Sequence, residues 1–125
     1  MQPSRRDFET LRHCWAQLRT EIPPATRGLW FGITDLESGG AYRTLYVAGC
    51  PTFDADDADG DWATDYCWWP EARYVTLADF AMLPGQPYLD VLAYAAELLR
   101  TLDVSAVPTI EGAAVGFDDG DFVVL

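Results

Sequence analysis

The sequence predicts an α+β fold: a mostly antiparallel sheet of about five to six strands, with an N-terminal helix and a second helix near 87–102 packed on it. Three observations lead there. Two segments carry apolar residues at helical spacing, several short β-favouring segments lie between turn signals, and two of those signals are of the tight-hairpin kind. Connections of this length suit antiparallel neighbours rather than a series of parallel crossovers. At 125 residues the chain has the size of one domain, 1–125, and shows no internal repeat or low-complexity linker.

The first helix is expected over 5–21. Ser4 is a good N-cap, and Asp7 places a carboxylate in the first turn where the helix dipole favours it. Phe8, Leu11, Trp15, Leu18 and Ile22 then recur at spacings of three and four, one apolar stripe that must lie on something. Pro23-Pro24 ends it.

Gly28–Leu36 and Ala41–Cys50 read as strands joined through Glu37-Ser38-Gly39-Gly40, which supplies the positive φ that a tight turn needs. Both faces of the second strand are bulky, so it is expected to be central with one face against a helix. Pro51–Asp61 is a loop on proline, glycine and aspartate content. Trp62–Trp69 reads as a further strand stopped by Pro70, and Arg73–Leu77 as another. After the loop at 82–86, Pro87 and Asp90 suit the start of a helix whose buried side is marked by Leu89, Leu92, Ala93, Ala96, Leu99 and Leu102. Glu111–Phe117 and Asp121–Leu125 flank Asp119-Gly120, a hairpin signal.

Charge is the most informative bulk property. Twenty acidic residues face eight basic ones, all of them arginine, for a net charge of −12. Residues 1–27 carry a net +2 and residues 28–125 a net −14. Such a surface repels nucleic acid and anionic membrane and draws basic proteins from a distance. The plain alternative is that acidity serves solubility alone. No apolar run is long enough to span a bilayer, and no secretory signal is visible. Cys14, Cys50 and Cys67 are odd in number and form no C-x-x-C pair, so reduced thiols in a cytoplasm are the simplest expectation.

The densest acidic cluster is Asp54, Asp56, Asp57, Asp59, Asp61 and Asp65 around Gly60. Placing Gly60 sixth in an EF-hand loop puts Asp57 and Asp59 at the third and fifth ligand positions. Ala55 and Tyr66 then fall at the first and twelfth, where carboxylates are required, so no calcium loop is assigned and no metal is expected. A weak cation site and a simple solvated loop stay open beside a third use. Crowded carboxylates repel one another by about 1 kcal/mol per pair in water-like surroundings, with screening beyond roughly 8 Å, and an arginine- or lysine-rich surface would relieve that repulsion.

The neighbouring strand segment would put Trp62, Tyr66 and Trp68 on one face. If that face is buried, Asp61, Asp65 and Trp69 point outward together, a tryptophan beside carboxylates of the kind found in protein–protein hot spots. The alternative is that all of these aromatics are packing. Asp118, Asp119 and Asp121 form a second acidic tip, otherwise an ordinary charged turn.

No catalytic residues are assigned. The lone His13 and Cys14 are helix neighbours that point about 100° apart, no phosphate-binding glycine loop occurs, and no spacing selects a pair of carboxylates. No cofactor is expected.

The capped N-terminal helix, the acidic loop before D-W-A-T-D-Y-C-W-W-P-E-A-R-Y, and the terminal A-V-G-F-D-D-G-D-F resemble small bacterial immunity proteins of polymorphic toxin systems. That resemblance, one of overall style across most of the chain, implies an intracellular α+β domain that binds and blocks a cognate toxin, without catalytic residues. The expected function is therefore a non-enzymatic inhibitor of a basic protein partner. Asp54, Asp56, Asp57, Asp59, Asp61 and Asp65 would steer and pair, and Trp69 would anchor. The rivals are a small-molecule-binding domain with an aromatic pocket between sheet and helix, and a structural homo-oligomer.

Overall fold

A computed structural model describes residues 2–35, 43–84, 87–118 and 120–125. The fold is α+β. Helix α1 (Arg5–Leu18) precedes strands β1 (Gly28–Asp35) and β2 (Arg43–Cys50). A long irregular stretch leads to the short strand β3 (Tyr74–Val75), then helix α2 (Tyr88–Leu99), and strands β4 (Gly112–Phe117) and β5 (Phe122–Val124) close the order. The sheet runs β3-β2-β1-β4-β5. β1 pairs antiparallel with β2 and parallel with β4, and the outer pairs β2–β3 and β4–β5 are antiparallel. One parallel pairing arises because the chain crosses through α2 before returning beside β1; a single helix suffices for such a crossover.

Strand periodicity divides the sheet into two faces. Leu29, Phe31 and Ile33 of β1, Leu45 and Val47 of β2, and Ala113 and Val115 of β4 join Leu11, Trp15 and Leu18 of α1 and much of α2 in the principal core. The opposite face carries a second, aromatic core of Trp30, Tyr46, Cys50, Trp62, Ala63 and Ala114, flanked by Phe53, Tyr66 and Phe122. Because both faces are covered, every residue of β2 is buried. The bulk expected on both faces of this central strand is thereby explained.

Helix α1 begins where Ser4 Oγ accepts the Asp7 amide at 3.1 Å. Its expected stripe is buried at Leu11, Trp15 and Leu18, while Phe8 and Ile22 pack at the margin of the core. Helix formation stops at Leu18, and residues to Glu21 continue as turns.

Helix α2 departs from its expected stripe. Leu89 and Ala93 are exposed, and Val91, Leu92, Tyr94, Ala95, Ala96, Leu98 and Leu99 are buried. This helix meets the sheet, α1 and the turn at 80–82 at once, so its buried arc is wider than a single apolar stripe indicates.

A larger correction concerns Trp62–Trp69, which is not a strand. Asp61–Thr64 forms a 3₁₀ turn, and Trp68 alone bridges to Gly49. The sheet thus has five strands, the lower end of the expected range. The expected turn at 37–40 lies outside the described residues.

Candidate functional site

The acidic loop is a chain of side-chain-to-backbone turns. Asp54 Oδ1 accepts the Asp56 amide at 3.0 Å, while Asp57 accepts the Asp59 amide at 3.1 Å through Oδ1 and the Asp61 amide at 3.0 Å through Oδ2. Aspartate is suited to this because its short carboxylate reaches the amide two residues on. Gly60 takes the positive φ of 66° that turns the chain into the 3₁₀ segment. That turn drives Trp62 inward, where its ring meets Phe53 edge-on at 4.8 Å.

Asp57 is partly buried and supports the loop, whereas Asp54, Asp56, Asp59, Asp61 and Asp65 are exposed. Carboxylate oxygens of Asp57, Asp59 and Asp61 lie within 4.8 Å of one another. The backbone bonds to Asp57 account for that closeness without a metal ion.

Tyr46 organises the aromatic face above the sheet. Its ring covers Gly32 of the neighbouring strand, where any Cβ would overlap it. The Tyr46 hydroxyl accepts the Trp30 indole N–H at 3.0 Å, lies 3.4 Å from the Tyr66 hydroxyl, and donates to the Asp118 carboxylate. Burial, followed by the hydrogen bond to Asp118, raises its pKa well above that of an ordinary phenol. It is a neutral donor at any physiological pH.

Asp118 ties the terminal hairpin to Tyr46, and Phe122 of the same hairpin lies against Gly60 of the acidic loop. Between them opens a pocket of about 80 Å³, lined among others by Asp59, Asp118, Trp30, Tyr66, Phe117 and Phe122. Two acidic segments far apart in sequence thus meet over an aromatic floor. Asp121 accepts a hydrogen bond from Tyr88 at 3.0 Å and ties the same hairpin to the start of α2. Asp119 lies outside the described residues.

Trp69 is 51% exposed. Tyr66 meets it edge-on at 6.3 Å and so links it to the pocket. The Arg73 guanidinium lies 4.7 Å from the Trp69 ring centre, 5.2 Å from that of Tyr46 and 5.9 Å from that of Tyr74. Asp61, Asp65 and Trp69 are each exposed, although the strand expected to align them is absent. The sequence reading missed the tie between Trp30, Tyr46, Tyr66 and Asp118. A glycine inside a strand, where a neighbour approaches closely, was its one available signal.

The arginines lie largely elsewhere. Arg5, Arg6 and Arg12 are exposed on α1 and Arg19 just past its end, and this helix covers the other face of the sheet. Among the described residues no helix is long and apolar enough to cross a membrane. Comparison with protein-family patterns, curated proteins and solved structures gives no match.

Proposed function

We propose that the protein is a non-enzymatic binding protein of the inhibitor or immunity type, working inside the cell, whose acidic-aromatic face takes a basic protein partner such as a toxin. The observation that carries this reading is the convergence of the 54–65 loop and the 117–121 hairpin around one aromatic-lined pocket, on the sheet face away from α1. The pocket is too small for a drug-sized ligand. Its lining of two carboxylates and several rings suits one guanidinium or ammonium head, which gains from both. Arg73 makes the same kind of contact within the chain, stacked on Tyr46 and Trp69.

In this reading Asp54, Asp56, Asp59, Asp61 and Asp65 supply long-range attraction, Asp57 holds their loop in shape, and Trp69 packs against the partner. Asp118 and Asp121 extend the acidic rim. Exposed carboxylates of this kind act chiefly on the association rate and its salt dependence.

The test uses a deca-arginine peptide as a generic basic probe, followed by stopped-flow fluorescence at two ionic strengths. Changing Asp57, Asp59 and Asp61 together to Asn should slow association at least about threefold at low salt and flatten its salt dependence. Unchanged kinetics would remove the loop from the binding face.

A further inference from the structure

Leu89 and Ala93 stand exposed on α2, whereas their spacing predicts burial. Leu89 is 54% exposed. With 3.6 residues per turn, Leu89, Ala93, Glu97 and Asp90 fall within one arc of about 100° on this helix. The outer surface of α2 is therefore an apolar strip edged by two carboxylates seven residues apart. Neither Asp90 nor Glu97 has a cationic partner among the described residues. Arg100, just past the helix end, is exposed as well.

Helix α1 presents the complementary pattern. Arg5, Arg12 and Arg19 recur at intervals of seven, about 10 Å apart along the axis, and flank Phe8 and Trp15. These five residues and Leu102 line a depression of about 510 Å³. Arg5 pairs with Glu9 at 3.1 Å, but neither Arg12 nor Arg19 has a carboxylate partner among the described residues. Glu9 and Asp103 also border the depression, which gives Arg100 of an incoming helix acids to meet. Carboxylates seven residues apart on one helix match cations seven apart on another. The acidic loop, an irregular run of turns, offers no such repeat.

Both helices cover the same face of the sheet and touch one another. Two copies related by a two-fold axis thus place each α2 on the other's α1, and the same contact is made twice. We propose that the helical side is a self-association surface, on which α2 of one copy lies along the depression beside α1 of a second. Leu89 and Ala93 then cover Phe8, Trp15 and Leu102, while Asp90 and Glu97 meet Arg12 and Arg19. Apolar contact holds the pair, because exposed ion pairs contribute little alone, and the charges select the register. The acidic faces point outward from the two copies. The helical layers separate them by more than the roughly 8 Å screening length of physiological salt. This surface lies across the sheet from the acidic-aromatic face and does not depend on the function assigned there. A layer two helices wide and about 20 Å long is small for a permanent dimer, so dissociation in the micromolar range is expected.

Sedimentation equilibrium at physiological salt, from about 1 µM to 1 mM, brackets that range. The full chain should pass from monomer to dimer, with no larger species. Arg12→Glu with Arg19→Glu, and separately Asp90→Arg with Glu97→Arg, should each stay monomeric, because like charges then face each other in both contacts. Mixed in equal amounts, the two double variants should form a heterodimer, since each contact again pairs opposite charges. All four positions are exposed, and recovery in the mixture shows that both variants are folded. Leu89→Gln leaves the charge unchanged and should weaken the dimer at least about tenfold. Should a double variant fail to fold, Leu89→Gln decides the question, and an unchanged dimer constant overturns the proposal. So does a chain that stays monomeric throughout, assembly beyond a dimer, a dimer that survives either charge reversal, or folded variants that do not pair when mixed. Loss of the dimer on changing Asp57, Asp59 and Asp61 to Asn would assign the contact to the acidic loop and likewise overturn it.

Discussion

Asp7 and Asp57 use the same side chain in related ways. Asp7 is completely buried; its carboxylate accepts the Asp79 amide at 3.1 Å, the Phe80 amide at 2.8 Å and the Tyr94 hydroxyl at 2.8 Å. It thereby joins the start of α1 to α2 and to the turn at 80–82. Removing it strands three donors, two of them backbone amides, in a low-dielectric setting. Asp7→Ala should therefore destabilise the fold by about 3 kcal/mol in urea unfolding, with an unchanged m-value. A loss below about 1 kcal/mol would show that water replaces the carboxylate. The sequence placed Asp7 in the first turn and attributed its role to the helix dipole. Its actual partners lie 72 to 87 residues away, beyond the reach of any local pattern. Asp57 is the reverse case: a residue read as surface charge that also holds two amides of its own loop.

The elements themselves were legible where local signals agree: a cap and helical spacing for α1, and β-favouring segments between turn signals for β1, β2, β4 and β5. α1, β1, β2 and the β4–β5 hairpin follow their apolar patterns because each packs mainly as its pattern implies. Trp62–Trp69 failed for a physical reason. Its alternating aromatics fit a strand, but the preceding aspartate turns and the left-handed Gly60 deliver the chain as a 3₁₀ turn, so only Trp68 reaches a strand partner. Trp62 is buried and Asp61, Asp65 and Trp69 are exposed, but Ala63 is buried and Thr64 exposed, so the alternation expected of a strand is not kept. The pairing of β1 and β2 sets the site more firmly than that segment does, since Gly32 leaves the space that Tyr46 fills. Gly32→Ala should displace the Tyr46 ring and destabilise the protein by about 1–3 kcal/mol, with loss of near-ultraviolet circular dichroism from the Trp30–Tyr46 pair. Retention of both stability and that signal would mean that the ring does not depend on the glycine.

At the scale of the whole molecule, charge and fold act together. The arginine-rich first segment becomes a helix on one face of the sheet, and the acidic loop and hairpin tip gather on the other. The sign of each region can be read from composition, but their separation to opposite faces requires the strand order. Nor could the approach of Asp118 to Asp59 be read from the chain, because it depends on β4 returning beside β1. A molecule with its acidic loop and acidic hairpin on one face should turn that face toward a basic surface as it approaches, and that orientation should weaken as salt rises. The most direct test is a pull-down from the source organism's lysate at low and high salt. Wild type is compared with the Asp57, Asp59, Asp61 triple Asn variant, and the retained proteins are identified by mass spectrometry. The account predicts one basic protein, held by wild type at low salt, weakened at high salt and depleted by the variant. Retention of no protein, or of the same proteins by both forms at both salt concentrations, would contradict it.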